Sequence, residues 1–291
     1  MLSQEKAFSF NSSNSESDKI FLRNLSSGAE TKNKKIIFVH DVMLHSGLFD
    51  NLLNTYIKVD NSSDLITFDL FGHGRSGGGR MTCPSEESWL EDLEKVINFK
   101  TRVEGEVSVD SLDMDVPVIL VGVGFGATLI LNFLAKYQRE DVKGICLINP
   151  MLEVDYNLNT LEKFFYSDFS NAGHFRVPID LSSEALFKEN SSKLQYENDP
   201  LCYNFVTRGL LHSMRRMAKT GRKNTYFIDQ PALLLYTDDE GIYNNRIIPV
   251  FSKGLRSQNV ELTKIEGPHL NFIEEAKTTS KILNKWIHNI S

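Results

Sequence analysis

The sequence predicts an α/β protein, a mostly parallel sheet with helices on both faces, and three observations lead there. Short β-rich runs alternate with amphipathic helical runs along most of the chain, the order in which strand–helix–strand units build a parallel sheet. The run Val116-Pro117-Val118-Ile119-Leu120-Val121 is apolar throughout, as a strand buried on both faces must be. It leads through Gly122-Val123-Gly124-Phe125-Gly126 into an almost wholly apolar helical run at 127–137. Glycines in such a turn let the helix pack close against the strand.

The remaining elements follow in order. Residues 20–25 read as an early strand, 26–35 as a polar turn, and Ile36-Ile37-Phe38-Val39 as a strand ending at His40-Asp41. A helix is expected over 46–56 and the next strand over 65–70. Pro84-Ser85-Glu86-Glu87 opens a helix with proline and acidic residues in its first turn, and Trp89, Leu93, Val96 and Ile97 fall on one face. The acidic stretch 103–115 reads as a surface loop, 144–149, 231–236 and 260–265 as strands, and Ile282, Leu283, Trp286 and Ile290 mark a final amphipathic helix.

Residues 151–229 break the alternation, with little strand signal and with Phe164, Phe165, Tyr166, Phe169, Phe175 and Phe187. They are expected to form a helical cap inserted after the sixth strand, with 1–150 and 230–291 as the core. Asp199-Pro200 is expected to open the longest cap helix, aspartate as N-cap and proline at the first helical position. Phe205, Leu210, Met214 and Met217 would line its inner face.

A chain of 291 residues, 41% hydrophobic, suits one large α/β domain with an insertion. A net charge of −6 and a pI near 5.7 argue against nucleic-acid binding. Cys83, Cys146 and Cys202 have neither metal-ligand spacing nor a disulfide-framework count, so a reducing, cytoplasmic location is expected. Residues 1–19 are polar and serine-rich, unlike a secretory signal, and no apolar run approaches the roughly 20 residues that cross a bilayer. Neither metal nor organic cofactor is implied.

In this order the elements resemble the α/β-hydrolase superfamily, most of all its monoglyceride lipase and lysophospholipase-like group. The resemblance runs from about residue 20 to the end. It rests on Asp69-Leu70-Phe71-Gly72-His73-Gly74-Arg75-Ser76-Gly77-Gly78, on the Gly122–Gly126 elbow and on Asp199-Pro200-Leu201. In such proteins the elbow presents a catalytic serine; here glycine, Gly124, holds the nucleophile position, and glycine cannot attack. The resemblance implies an acid after the strand Leu233-Leu234-Leu235-Tyr236, where Glu240 fits the pattern best and Asp239 second, and a turn of solvated acids is the plainer alternative. It implies His269 as the base position, with one residue less than usual after Gly267, and an oxyanion hole from the amides of Val42 and Phe125.

The His40-Asp41 pair departs from the usual His-Gly, and a carboxylate there would oppose developing negative charge if it pointed inward. Together with the serine-free elbow it is also similar to the N-myc downstream-regulated family, regarded as non-catalytic. His73, Arg75 and Ser76 read as a structural loop. The sequence therefore points away from an enzyme, to a pseudo-hydrolase that holds a small apolar or acyl ligand or a partner without turning it over. The alternative is a carboxylic-ester hydrolase of acyl lipids whose serine was exchanged. Membrane contact through the aromatic cap and the basic run Arg215, Arg216, Lys219, Arg222 and Lys223 is the weaker third reading, since cations also suit a solvated helix end.

Overall fold

Alternate side chains of a strand point to opposite faces, so a strand apolar at every position demands two cores. In the strand Lys34–Val39, Ile37 and Val39 enter one buried cluster while Ile36 and Phe38 enter another. The computed structural model describes residues 4–27, 33–83, 85–99, 116–154, 173–179, 181–238 and 241–290.

Among them are the strands β1 (Gln4–Asn11), β2 (Lys19–Ser26), β3 (Lys34–Val39), β4 (Ser63–Phe68), β5 (Val118–Val123), β6 (Val142–Ile148), β7 (Arg176–Pro178), β8 (Phe205–Thr207), β9 (Ala232–Tyr236) and β10 (Val260–Lys264). The helices are α1 (Asp50–Val59), α2 (Glu86–Ile97), α3 (Phe125–Tyr137), α4 (Ser183–Leu186), α5 (Asn190–Glu197), α6 (Arg208–Lys223), α7 (Ile248–Ser252), α8 (Asn271–Glu274) and α9 (Ala276–Ile290). Eight strands form one sheet in the order β1-β2-β4-β3-β5-β6-β9-β10, antiparallel at β1–β2 and β2–β4 and parallel elsewhere. This is the mostly parallel sheet expected from the alternation of elements. The apolar sides of α2, α3 and α6 close one face, and those of α1 and α9 the other.

From β3 the chain runs outward to β4 on one side, then returns to β5 on the other. Such a reversal opens a crevice at the carboxyl ends of the strands. Val39 pairs with Gly122 across it, so Asp41 and Gly124 leave their strands at the same level.

The expected strands appear within a few residues, but three local readings are corrected. β1 lies in the stretch read as a polar terminus; it is an edge strand, and Phe8 and Phe10 are half-buried while Glu5, Lys6 and Ser9 face solvent. The region expected as a helical cap with little strand signal also holds the two-stranded antiparallel sheet β7–β8. No helix begins at Asp199-Pro200. The Asp199 carboxylate bonds the Leu201 N–H at 2.8 Å and His45 Nε2 at 2.9 Å, Cys202 N closes a turn on the Asp199 carbonyl, and α6 starts later, with the Thr207 side chain accepting from Leu210 N. Pro84, the stretch 103–115 expected as a surface loop, and Phe164, Phe165, Tyr166 and Phe169 lie outside the described residues.

Candidate functional site

The elbow is built as its residue types demand. At Gly122 a Cβ would come within 2.6 Å of the Ala127 backbone, and at Gly126 within 2.3 Å of the Val39 carbonyl. Neither position accepts a side chain without moving α3 off the sheet. Gly124 itself sits at φ +51°, ψ −113°, the strained tip between β5 and α3. Its N–H bonds the Ile148 carbonyl at 3.0 Å and its carbonyl takes the Met151 N–H at 3.0 Å, which ties the tip to the segment after β6.

The space in front of Gly124 is filled by Asp41. A Cβ added at Gly124 would lie 2.0 Å from Asp41 Oδ2 and 2.2 Å from its Cγ. Oδ1 accepts from the Val42 N–H at 2.7 Å and the Phe125 N–H at 2.6 Å, the two amides expected to form an oxyanion hole. Tyr243 donates its hydroxyl between the two oxygens, at 3.1 and 3.0 Å, and His269 Nε2 lies 3.0 Å from Oδ2. A carboxylate only accepts, so Nε2 carries the proton toward Asp41. The Tyr243 ring meets the imidazole edge-on, 5.5 Å between centroids. The His269 ring is fully enclosed and the Asp41 side chain is 5% exposed.

His40 and His269 are anchored separately. His40 donates Nδ1–H to the Asp41 carbonyl at 2.7 Å and accepts the Leu70 N–H on Nε2 at 2.9 Å, an arrangement only the neutral ring provides. Burial lowers its pKa and keeps it neutral. The His269 N–H reaches the Ala185 carbonyl at 3.0 Å, and its carbonyl accepts Asn149 Nδ2 at 3.0 Å. Asn149, fully buried at φ +43°, also takes the Thr237 N–H and Asn245 Nδ2 on its Oδ1. One amide thus joins the ends of β6 and β9 to the histidine loop.

The structure therefore brings together Gly124, Val42, Phe125 and His269, while Asp239 and Glu240 lie outside the described residues. Sequence reading flagged Asp41 as a departure but not as the group in the cradle, and it missed Tyr243, which no motif marks. The Asp69–Gly78 loop is framework: Ser76 Oγ donates to the Asp69 carbonyl at 2.5 Å and accepts the Phe21 N–H at 2.9 Å. Asp69 Oδ1 takes the Ser46 N–H and Oδ2 the Arg75 N–H.

His45, Asp199 and Cys202 place three potential ligand atoms within 4.8 Å of one another. Their bonding describes a bridge instead. The Gly47 N–H donates to His45 Nδ1, so the ring proton is on Nε2 and is given to Asp199, and burial pushes the Cys202 thiol far up. Cys146 is likewise buried and its thiol raised. On α6, Arg216 pairs with Glu86 and Arg222 with Glu153. Among the described residues no helix is long and apolar enough to cross a membrane.

Fold and site geometry define an α/β-hydrolase-fold protein of lipase-like architecture. Residues 30–275 match the family described as serine aminopeptidase, S33, and the chain belongs to it. It is similar to the uncharacterized protein YnbC of Escherichia coli K12, 21% identical over 80% of this chain, and to an uncharacterized abhydrolase domain-containing protein of Dictyostelium discoideum, 20% identical over 71%. The chain spans 38% and 21% of the lengths of those relatives. A monoglyceride lipase of Saccharomyces cerevisiae superposes with a TM-score of 0.80 at 15% identity, covering 98% of this chain and 95% of that one. A monoacylglycerol lipase of Paleococcus ferrophilus does so with 0.76 at 16% identity, over 99% and 100%.

Proposed function

We propose that this chain is a non-catalytic α/β-hydrolase, a pseudo-hydrolase that holds a small apolar or acyl ligand, or a protein partner, without cleaving it. One observation carries the reading: the Asp41 carboxylate occupies the volume in which a nucleophile at position 124 would begin, and it uses both amides that would stabilise an oxyanion. Removing a triad serine alone costs many orders of magnitude in rate. A resident negative charge in the hole adds electrostatic opposition to any tetrahedral oxyanion. The lipase names of the structural neighbours favour an acyl ligand. On this reading residues 151–229 act as the cap of the fold, and three free cysteines suit the cytoplasm. An ester hydrolase whose serine was merely exchanged fits less well, because a serine side chain and Asp41 would compete for one space.

The test is labelling by a serine-reactive fluorophosphonate together with turnover of short-chain esters and monoacylglycerols. The native chain is expected to give neither above background. Turnover that disappears in His269→Ala would overturn the reading.

A further inference from the structure

Four donors from four segments converge on one carboxyl group: the Val42 amide after β3, the Phe125 amide at the start of α3, the Tyr243 hydroxyl after β9 and the His269 imidazole after β10. We propose that this cradle is a carboxylate-binding site whose resident ligand is the protein's own Asp41, and that it takes up a free small carboxylate such as formate or acetate when Asp41 is shortened.

Three of the four donors sit on segments held by contacts other than Asp41. Val42 follows a backbone held by His40 and Leu70, and Phe125 is fixed by α3. The His269 loop is held by Asn149 and Ala185. Removing the Asp41 side chain leaves these groups converging on a space of carboxyl size, walled by a residue without a Cβ. Two backbone N–H groups, an imidazole N–H and a phenol hydroxyl free to donate present a buried, donor-rich surface, which favours an anion over a neutral guest. The shape favours a planar two-oxygen anion over a spherical one: one oxygen has two amides, the other an imidazole, and the one Tyr243 hydroxyl lies between them. Gly124 and Asp41 are then a matched pair, the glycine making room for the internal ligand. The inference goes beyond the non-catalytic reading, and its readout is separate: a formate-specific rise in Tm of Asp41→Gly measures anion binding in the cradle, whereas ester turnover by the native chain measures catalysis.

Thermal unfolding of Asp41→Gly in sodium formate or acetate, against sodium chloride and acetamide at matched concentration and ionic strength, decides it. A saturable rise in Tm of about 5 °C is expected well above the dissociation constant. The rise is expected to be absent from the native chain, where Asp41 holds the site, and at least halved when Tyr243→Phe is added to Asp41→Gly. A carboxylate effect no larger than that of chloride, or an equal rise in the native chain, would overturn the proposal. Should Asp41→Gly not survive purification, the denatured variant is refolded with and without formate. Recovery of folded protein only with formate supports the site, and equal recovery with chloride overturns it.

Discussion

His73 illustrates what enclosure does to a titratable side chain in this molecule. Its Nδ1–H donates to the Phe71 carbonyl at 3.0 Å, the ring packs edge-on against Trp89, and burial holds its pKa down to about 3. A pKa depressed from 6.5 in the folded state means that the unfolded chain takes up the proton first as the pH falls. The contribution of His73 is complete above pH 6.5 and is lost progressively down to about pH 3. At pH 5 the loss is about 2 kcal/mol, and buried His40 acts in the same direction. The urea midpoint is therefore expected to fall between pH 7 and pH 5, and His73→Gln to remove a substantial part of that fall; an unchanged fall would exclude His73 as its source. At this scale Gly124 and His269 were legible, because elbow context and chain order mark them. The direction of Asp41 was not, because a side chain's rotamer depends on what surrounds it, here a missing Cβ far along the chain. Tyr243 lies in a polar loop and reaches the site only through the tertiary fold.

Between elements, the contact that sets the site is the approach of α3 to β3 and β5. The Val39 carbonyl lies where a Cβ of residue 126 would go, at 2.3 Å. Gly126→Ala must therefore push the helix start, and with it the Phe125 amide, away from β3. Overpacking of this kind costs about 1–3 kcal/mol. The expected outcome is a lower urea midpoint with an unchanged slope, and a stability equal to that of the native chain would show that α3 has slack here. The buried strands β3, β5, β6 and β9 were legible because strands enclosed on both faces are apolar throughout. β1 was not, because an edge strand with one half-covered face reads as a polar segment. β7 and β8 have three residues each, too few to show a period. The Asp199-Pro200 pair carries a helix-start signal, but its carboxylate is used by His45 and Leu201, and the cap passes to Thr207.

Across the molecule, the reversal of strand order between β3 and β5 places Asp41 and Gly124 face to face, so the two residues most unlike a hydrolase are coupled in space. Their substitutions should not add. Gly124→Ser alone puts a Cβ 2.0 Å from Asp41 Oδ2 at a positive φ of 51°; it is expected to lose about 1–3 kcal/mol through backbone strain, more from the clash, and to gain no esterase activity. Asp41→Gly alone frees both amides but supplies no nucleophile. Only Gly124→Ser combined with Asp41→Gly offers a hydroxyl at the elbow, two open amides and His269 Nε2 without its carboxylate partner. Release of p-nitrophenol from short-chain esters above the level of both single variants is expected in the double variant, and His269→Ala on that background should abolish it. Equal activity in Gly124→Ser alone would show that Asp41 leaves the cradle readily, and the view of these residues as a matched pair would fall.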